Sequence, residues 1–284
     1  MQNIPLLRLT TQTKYYELGI IMSELLNYVN QDDLKISEDL YYDGYRIGPK
    51  ENHPIVVVDN VLANPEGFWK NVVQKQPLER NKPKDQDVVF PGFSSTIGFE
   101  MVEFRRMVSH FVNEYTDFEV NDPDNLNISN QLNVMFSDIE TERISVQPHI
   151  DPAMFAYVLY LNAPQDCHGG TSFFNHEHTG ETNMEHVDKT FRRSEQYWNY
   201  KEWLYDFHRE KRNDLVELDT KNIEPVYEEY HHIDMKFNRL VLYPSYLWHT
   251  AIIKPGMYKD FPRVCLAGFI HWDYFIGGSG GPNA

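Results

Sequence analysis

From Leu132 onward the chain consists of short aromatic and β-branched runs, and this pattern limits its fold more than any other feature. The runs are LNVMFSDI, ISVQPHID, AYVLYLN, GGTSFFNH, RLVLYPSYLWHTAII and RVCLAGFIHW, punctuated by Gly, Pro, Asn and Asp. Segments of this length and residue type read as strands, and the turn residues between them fold each strand back on the last. A series of short strands closes into a sandwich, a barrel or a jelly roll.

Upstream the pattern is mixed. Tyr15 to Val29 carries apolar residues at helical spacing, which predicts a helix. Asp39 to Arg46, rich in Tyr, Asp and Gly, reads as a loop. IVVVDNVL is a β-branched run, followed by Asn64-Pro65, a helix N-cap with proline at the first helical position. The helix continues from Glu66 to Val73. Residues 79–98 read as a long loop, and Glu100 to Glu114 as a helix. Residues 177–231 interrupt the strand series with a charged, aromatic stretch (DKTFRRSEQYWNYKEWLYDFHREKRNDL) that reads as helical. The GGSGGPNA end reads as a flexible tail over 277–284.

Charge narrows the function classes. The 284 residues carry a net charge of −16, so the Lys/Arg excess of a nucleic-acid binder is missing and an anionic membrane surface is disfavoured. No apolar stretch is long enough for a membrane-spanning helix or a signal peptide, and two cysteines do not make a secreted disulfide framework. The expectation is a cytoplasmic protein.

The strongest local feature is Pro148-His149-Ile150-Asp151. In a strand, residues two apart share a face, so His149 and Asp151 could both ligate one metal ion. Four such His-x-Asp triplets occur, at His149, His186, His232 and His271. His186 leads into the charged insertion, His232 lies too near the next suitable histidine, and no histidine follows His271. Only His149 is followed by a β series and then by a strand–turn unit, NRLVLYPSYLWH, ending in His249. Two histidines and one carboxylate on one face of an ion leave open positions, as non-haem Fe(II) oxygenases require. His176 and His178 form a His-x-His pair without an obvious third ligand. Gln147 shares the parity of His149 and Asp151.

PHIDPAMFAYVLYLN, CHGGTSFFNH, LVLYPSYLWHTA and FPRVCLAGFIHW, in that order, resemble the Fe(II)/2-oxoglutarate-dependent dioxygenase superfamily, its prolyl-4-hydroxylase-like branch most. The likeness covers roughly residues 132–273 with the insertion looped out. It implies a mainly β chain with flanking helices and a double-stranded β-helix (jelly-roll) core. Residues 1–284 would then form a single oxygenase domain, with 1–131 packing on the core. It also implies Fe(II) and 2-oxoglutarate, with O₂ and a small-molecule or peptidyl substrate as partners. His149, Asp151 and His249 match the iron ligands. Arg263 matches the basic residue that pairs with the distal carboxylate of 2-oxoglutarate, where a planar guanidinium suits a carboxylate bidentately. Its rival is Lys259, since Arg263 lies farther from His249 than is usual in the family. Tyr160 matches a tyrosine that hydrogen-bonds the same carboxylate, and Gly169-Gly170 a glycine turn before the next strand. Three readings follow: an oxygenase hydroxylating an unactivated C–H, a cupin-like metal-dependent hydrolase or isomerase, and a non-catalytic jelly-roll binding protein. The 177–231 insertion, between two core strands, reads either as a substrate lid or as a helix packed on the barrel.

Overall fold

The computed structural model describes residues 31–48, 53–80, 92–96, 102–116, 118–135, 148–151, 153–154, 155–176, 227–254, 256–271 and 275–276. The expected helix at 15–29, Gln147, His178, His186 and the 277–284 tail lie outside them.

Among the described residues the first strands are β1 (Tyr41–Ile47) and β2 (His53–Asp59), paired antiparallel along their whole length. Helix α1 (Pro65–Asn71) follows, capped by Asn64, whose side chain accepts from Gly67 N–H at 3.0 Å. After the two short strands β3 (Glu79–Arg80) and β4 (Phe93–Thr96) comes α2 (Val102–Tyr115), which buries Phe104, Met107, Val108, Phe111 and Val112 on one stripe. Next come β5 (Glu119–Val120), β6 (Ile128–Met135), β7 (Phe155–Tyr160) and β8 (Gly170–His176). The series ends with β9 (Tyr227–Asp234), β10 (Leu240–Pro244), β11 (His249–Ala251), β12 (Arg263–Ile270) and β13 (Phe275–Ile276).

Eight strands form one antiparallel sheet in the order β1-β2-β10-β7-β12-β6-β4-β3, three form a second in the order β11-β8-β9, and β13 pairs with β5. Strand parity divides the core in two. Val56, Val58, Tyr157, Leu159, Leu240, Leu242, Leu266 and Ile270 face the helices and pack with Phe68, Phe104 and Phe111. The alternate residues, Ile55, Ala156, Val158, Tyr160, Val241, Tyr243 and Cys265, pack with Phe173 and Ile233 of the small sheet. Each large apolar side chain buried this way contributes about 2 kcal/mol over the exposed state. The large sheet is therefore held on both faces, and the space between the sheets is where a site can form. At the entry to β8, Gly169 has φ +65°, and a Cβ there would lie 2.4 Å from the Ile252 carbonyl, so glycine is required at this turn.

Three expectations are corrected. Asp39–Arg46 is largely strand: Tyr41–Ile47 forms an edge, mostly exposed, whose polar residues face solvent and whose backbone is satisfied by β2. Residues 79–98 are not one loop, because β3 and β4 pair within them and β4 joins β6. The insertion does not run to 231: Tyr227–Asp234 is β9, the partner of β8, and residues 177–226 lie outside the described residues. Among the described residues no helix is long and apolar enough to cross a membrane.

Candidate functional site

His149 and His249 are brought together by their own backbones. Each amide donates to the other's carbonyl, at 2.9 and 3.0 Å, which makes a single antiparallel bridge. Residues directly opposite in such a bridge project to the same side, and the two imidazoles sit with centroids 4.7 Å apart. Asp151 is held two residues on by its amide, which donates to the Ser245 carbonyl at 2.9 Å. Its carboxylate lies 3.1 Å from His249 Nε2 and 4.0 Å from His149 Nε2. Ligand atoms of the three residues lie within 4.8 Å of one another, so the group could hold one metal ion.

His249 is oriented for that task. Its Nδ1 lies 2.8 Å from the Leu247 carbonyl, which can only accept, so Nδ1 carries the proton. In the neutral ring Nε2 then presents a lone pair toward the Asp151 carboxylate. Two acceptors 3.1 Å apart call for a cation between them, a second proton or a metal ion. The site is closed on one side and open on the other: the His249 side chain is 5 % exposed, that of His149 50 %.

The bridge also continues across the small sheet. His249 is the register partner of Phe173, and Phe173 of His231. His149, His249, Phe173 and His231 thus form one row on one face. Tyr243 of β10 packs over this row from the large sheet, 4.7 Å from the His249 ring and 5.3 Å from Phe173. Burial first, then the Asp151 carboxylate, pushes the Tyr243 phenol well above its ordinary range, so it stays protonated.

One row further along β8, Thr171 Oγ1 meets the Tyr160 hydroxyl at 2.7 Å. Beside them lies Arg263, the first residue of β12 and only 2 % exposed. The guanidinium carbon is 5.6 Å from the Tyr160 ring centroid. Nη1 donates to the Cys265 thiol at 3.0 Å, and Nε has no partner among the described residues. Burial works against the Arg263 charge, and only the ionised forms of Cys265, Tyr160 and Tyr258 would favour it, but a guanidinium titrates so far above neutrality that it stays protonated. Burial in turn raises the Cys265 thiol and the Tyr160 phenol, and pushes Tyr258 up to about 12. At neutral pH none of the three is an anion, so a buried cation stands among neutral groups. Asn162 brackets it: the side-chain amide donates to the Pro262 carbonyl at 2.9 Å, and its oxygen accepts from Val264 N–H at 2.7 Å.

Of the residues singled out from the sequence, His149, Asp151 and His249 meet in space, and Arg263 and Tyr160 meet one row away. Lys259, the rival of Arg263, is exposed. His232 is engaged on the small sheet, with Nδ1 2.7 Å from Ser172 Oγ and Nε2 3.2 Å from Asp234, and His271 lies 3.1 Å from Ser129 Oγ. Sequence reasoning missed Tyr243, Thr171, Asn162 and Cys265. Cys265 shares the parity of Arg263, and Asn162 follows directly on the Tyr160 strand; those are the signals that could have found them.

No curated protein matches the chain. Solved structures that resemble it include the non-heme alpha ketoglutarate dependent epimerase SnoN from nogalamycin biosynthesis (10 % identity over 75 % of this chain and 76 % of that one, TM-score 0.37). Another is the non-heme alpha ketoglutarate dependent carbocyclase SnoK from the same biosynthesis (11 % identity over 92 % and 90 %, TM-score 0.37). The model of a family of unknown function (DUF6445) matches residues 43–263, well over half of the chain, and the chain belongs to that family.

Proposed function

We propose that this chain is an Fe(II)- and 2-oxoglutarate-dependent oxygenase, folded as one jelly-roll (double-stranded β-helix) domain, that hydroxylates an unactivated C–H of a small molecule, amino acid or peptidyl side chain. The observation that carries this reading is the pairing of a His149–Asp151–His249 cluster with a buried, charge-uncompensated Arg263 on the same interior face. The first asks for a divalent cation and the second for an anion. A 2-oxoacid dicarboxylate, chelating the metal at one end and bearing a carboxylate at the other, satisfies both.

The residues divide the work accordingly. His149, Asp151 and His249 would hold the iron, and the Leu247 carbonyl keeps the His249 Nε2 lone pair available for it. Arg263 and Tyr160 hold the distal carboxylate, and Thr171 directs the Tyr160 hydroxyl. Tyr243 and Phe173 wall the cleft with apolar surface that keeps water from the reacting centre. Iron held there would supply, with O₂ and the 2-oxoacid, an oxidant strong enough for a C–H bond, the co-substrate leaving as succinate and CO₂. With Asp151 as a ligand, the coordination position that a halide would need would be taken, which favours hydroxylation over halogenation. A cytoplasmic setting fits, because Cys167 and Cys265 are both free thiols.

The cupin-like, metal-dependent hydrolase or isomerase alternative would turn over with metal alone and without 2-oxoglutarate. The test is succinate release from 2-oxoglutarate by the anaerobically Fe(II)-loaded chain on admission of ¹⁸O₂, with mass spectrometry of the product. Turnover that needs no 2-oxoglutarate, or product oxygen drawn wholly from water, would sink the oxygenase reading.

A further inference from the structure

Beyond Phe173, on the side away from Arg263, the small sheet changes character. β9 carries a bulge opposite Phe173 and Phe174: His231 pairs with Phe173 and Glu229 with Phe174, which leaves Tyr230 as the extra residue. Bulges re-aim side chains and recur next to functional sites. Here Tyr230 packs against the buried cluster between the sheets, and its hydroxyl is buried with no hydrogen-bond partner among the described residues. Asn175 shares the face of Phe173 by parity, roughly 7 Å further along β8. It pairs in register with Glu228, to which its Nδ2 donates at 3.3 Å. That bond uses the amide's donor side and leaves Asn175 Oδ1 buried and without a partner among the described residues. A buried acceptor without a donor costs about 1–3 kcal/mol.

This end of the row therefore offers three acceptors, a carboxylate, an amide oxygen and a phenol oxygen, against two donor groups, the Asn175 amide, already engaged by Glu228, and the Tyr230 hydroxyl. We propose that it recognises a protonated amine on the prime substrate: Glu228 pairs with the ammonium charge, Asn175 Oδ1 and the Tyr230 hydroxyl accept its N–H groups, and the carbon skeleton extends toward the His149–His249 bridge. The inference rests on the proposed function for the place of the metal, and deepens it by naming the substrate class. The overall charge of −16 draws cations to the protein from a distance. The cleft is then polarised along β8, an anion pocket at Arg263 on one side of the triad and an ammonium pocket at Glu228 on the other.

The experiment is calorimetric titration of the full chain loaded with Mn(II), with and without 2-oxoglutarate. The probes are 1-aminohexane, agmatine and lysinamide, with hexan-1-ol and hexanoate as neutral and anionic counterparts. At least one amine should bind about tenfold or more tighter than hexan-1-ol, the order of one charge-assisted hydrogen bond. That ratio should collapse toward one in Glu228→Gln. Glu228 is exposed, so neither this change nor Glu228→Lys burdens folding, and Glu228→Lys should turn the preference to hexanoate. Equal or tighter binding of the alcohol or hexanoate by the wild-type chain overturns the proposal, as does an amine preference that persists in both variants. Failure of 2-oxoglutarate to bind the Mn(II)-loaded wild type would sink the proposed function instead, and the amine ratio measured with metal alone still decides this inference.

Discussion

Replacing Arg263 by methionine should separate two quantities that usually fall together, co-substrate affinity and fold stability. The side chain is 2 % exposed, and its charge is surrounded by the neutral Cys265, Tyr160 and Tyr258. Removing one partner of a charge-assisted carboxylate pair costs about 3 kcal/mol, or roughly a hundredfold in the dissociation constant of 2-oxoglutarate. A co-substrate present at one hundred times the wild-type constant stabilises the wild type by about 2.7 kcal/mol. At the same concentration the variant would be half-saturated and gain about 0.4 kcal/mol. Without ligand the order reverses. A buried charge lacking a counter-ion is itself a burden, so a methionine of similar volume should leave the apo protein as stable as wild type or more so. Titration of the Mn(II)-loaded chain with 2-oxoglutarate gives the first comparison, and thermal melts with and without it give the second. The reasoning fails if Arg263→Met binds 2-oxoglutarate within about threefold of wild type, or if Lys259→Ala produces the large loss instead.

Alanine at His149 or His249 should abolish tight Fe(II) binding, whereas alanine at His186, His232 or His271 should not; equilibrium dialysis against iron distinguishes the two groups, and wild-type affinity in both His149→Ala and His249→Ala would dismantle the triad. Asn162→Ala removes the two hydrogen bonds that bracket Arg263, so the KM for 2-oxoglutarate should rise by about tenfold with kcat little changed, while Asn162→Asp, which keeps the oxygen that Val264 N–H needs, should recover part of the loss. An equal fall in kcat for both variants would assign Asn162 another role. Burial first, then His232, holds His231 below the ordinary histidine range, with Glu229 opposing. Its contribution to stability is therefore complete above about pH 6.5 and is lost as pH falls through the lower folded value. His231→Gln should flatten the pH dependence of the melting temperature in that acid window, and an unchanged slope would show that another group sets it.

The β architecture was legible where a strand had both faces buried. AYVLYLN and RVCLAGFIHW sit in the middle of the large sheet, and their apolar content follows from packing on both sides. β1 escaped because an edge strand can carry Tyr, Asp, Gly and Arg at little cost, its pairing supplied by β2 alone. β9 escaped for a related reason: YEEYHHID alternates weakly, its acidic residues are exposed, and it adjoins a charged segment that looks helical. In the site, the His-x-Asp and the distal histidine could be read because metal ligands are few in kind and their spacing is informative. Tyr243, Thr171 and the orphaned oxygens of Asn175 and Tyr230 could not, since their roles depend on which strand lies opposite in which register. His149 itself sits in a single bridge among the described residues rather than in a full strand, so parity alone was an incomplete reason for its pairing with Asp151.

The mutual hydrogen bonds of His149 and His249 give a metal ion there a mechanical meaning. An ion held by both imidazoles would be a cross-link between segments far apart in sequence, closing the chain that carries β7, β8, β9 and β10 into a loop. Like any such closure, it acts on the unfolded ensemble by removing conformations, and its effect grows only slowly with the length enclosed. The amides of the two ligands are also the ones that hold the bridge. Their rates of hydrogen exchange would thus count how often the clasp opens, and backbone protection at these positions should rise as metal binds, independent of turnover.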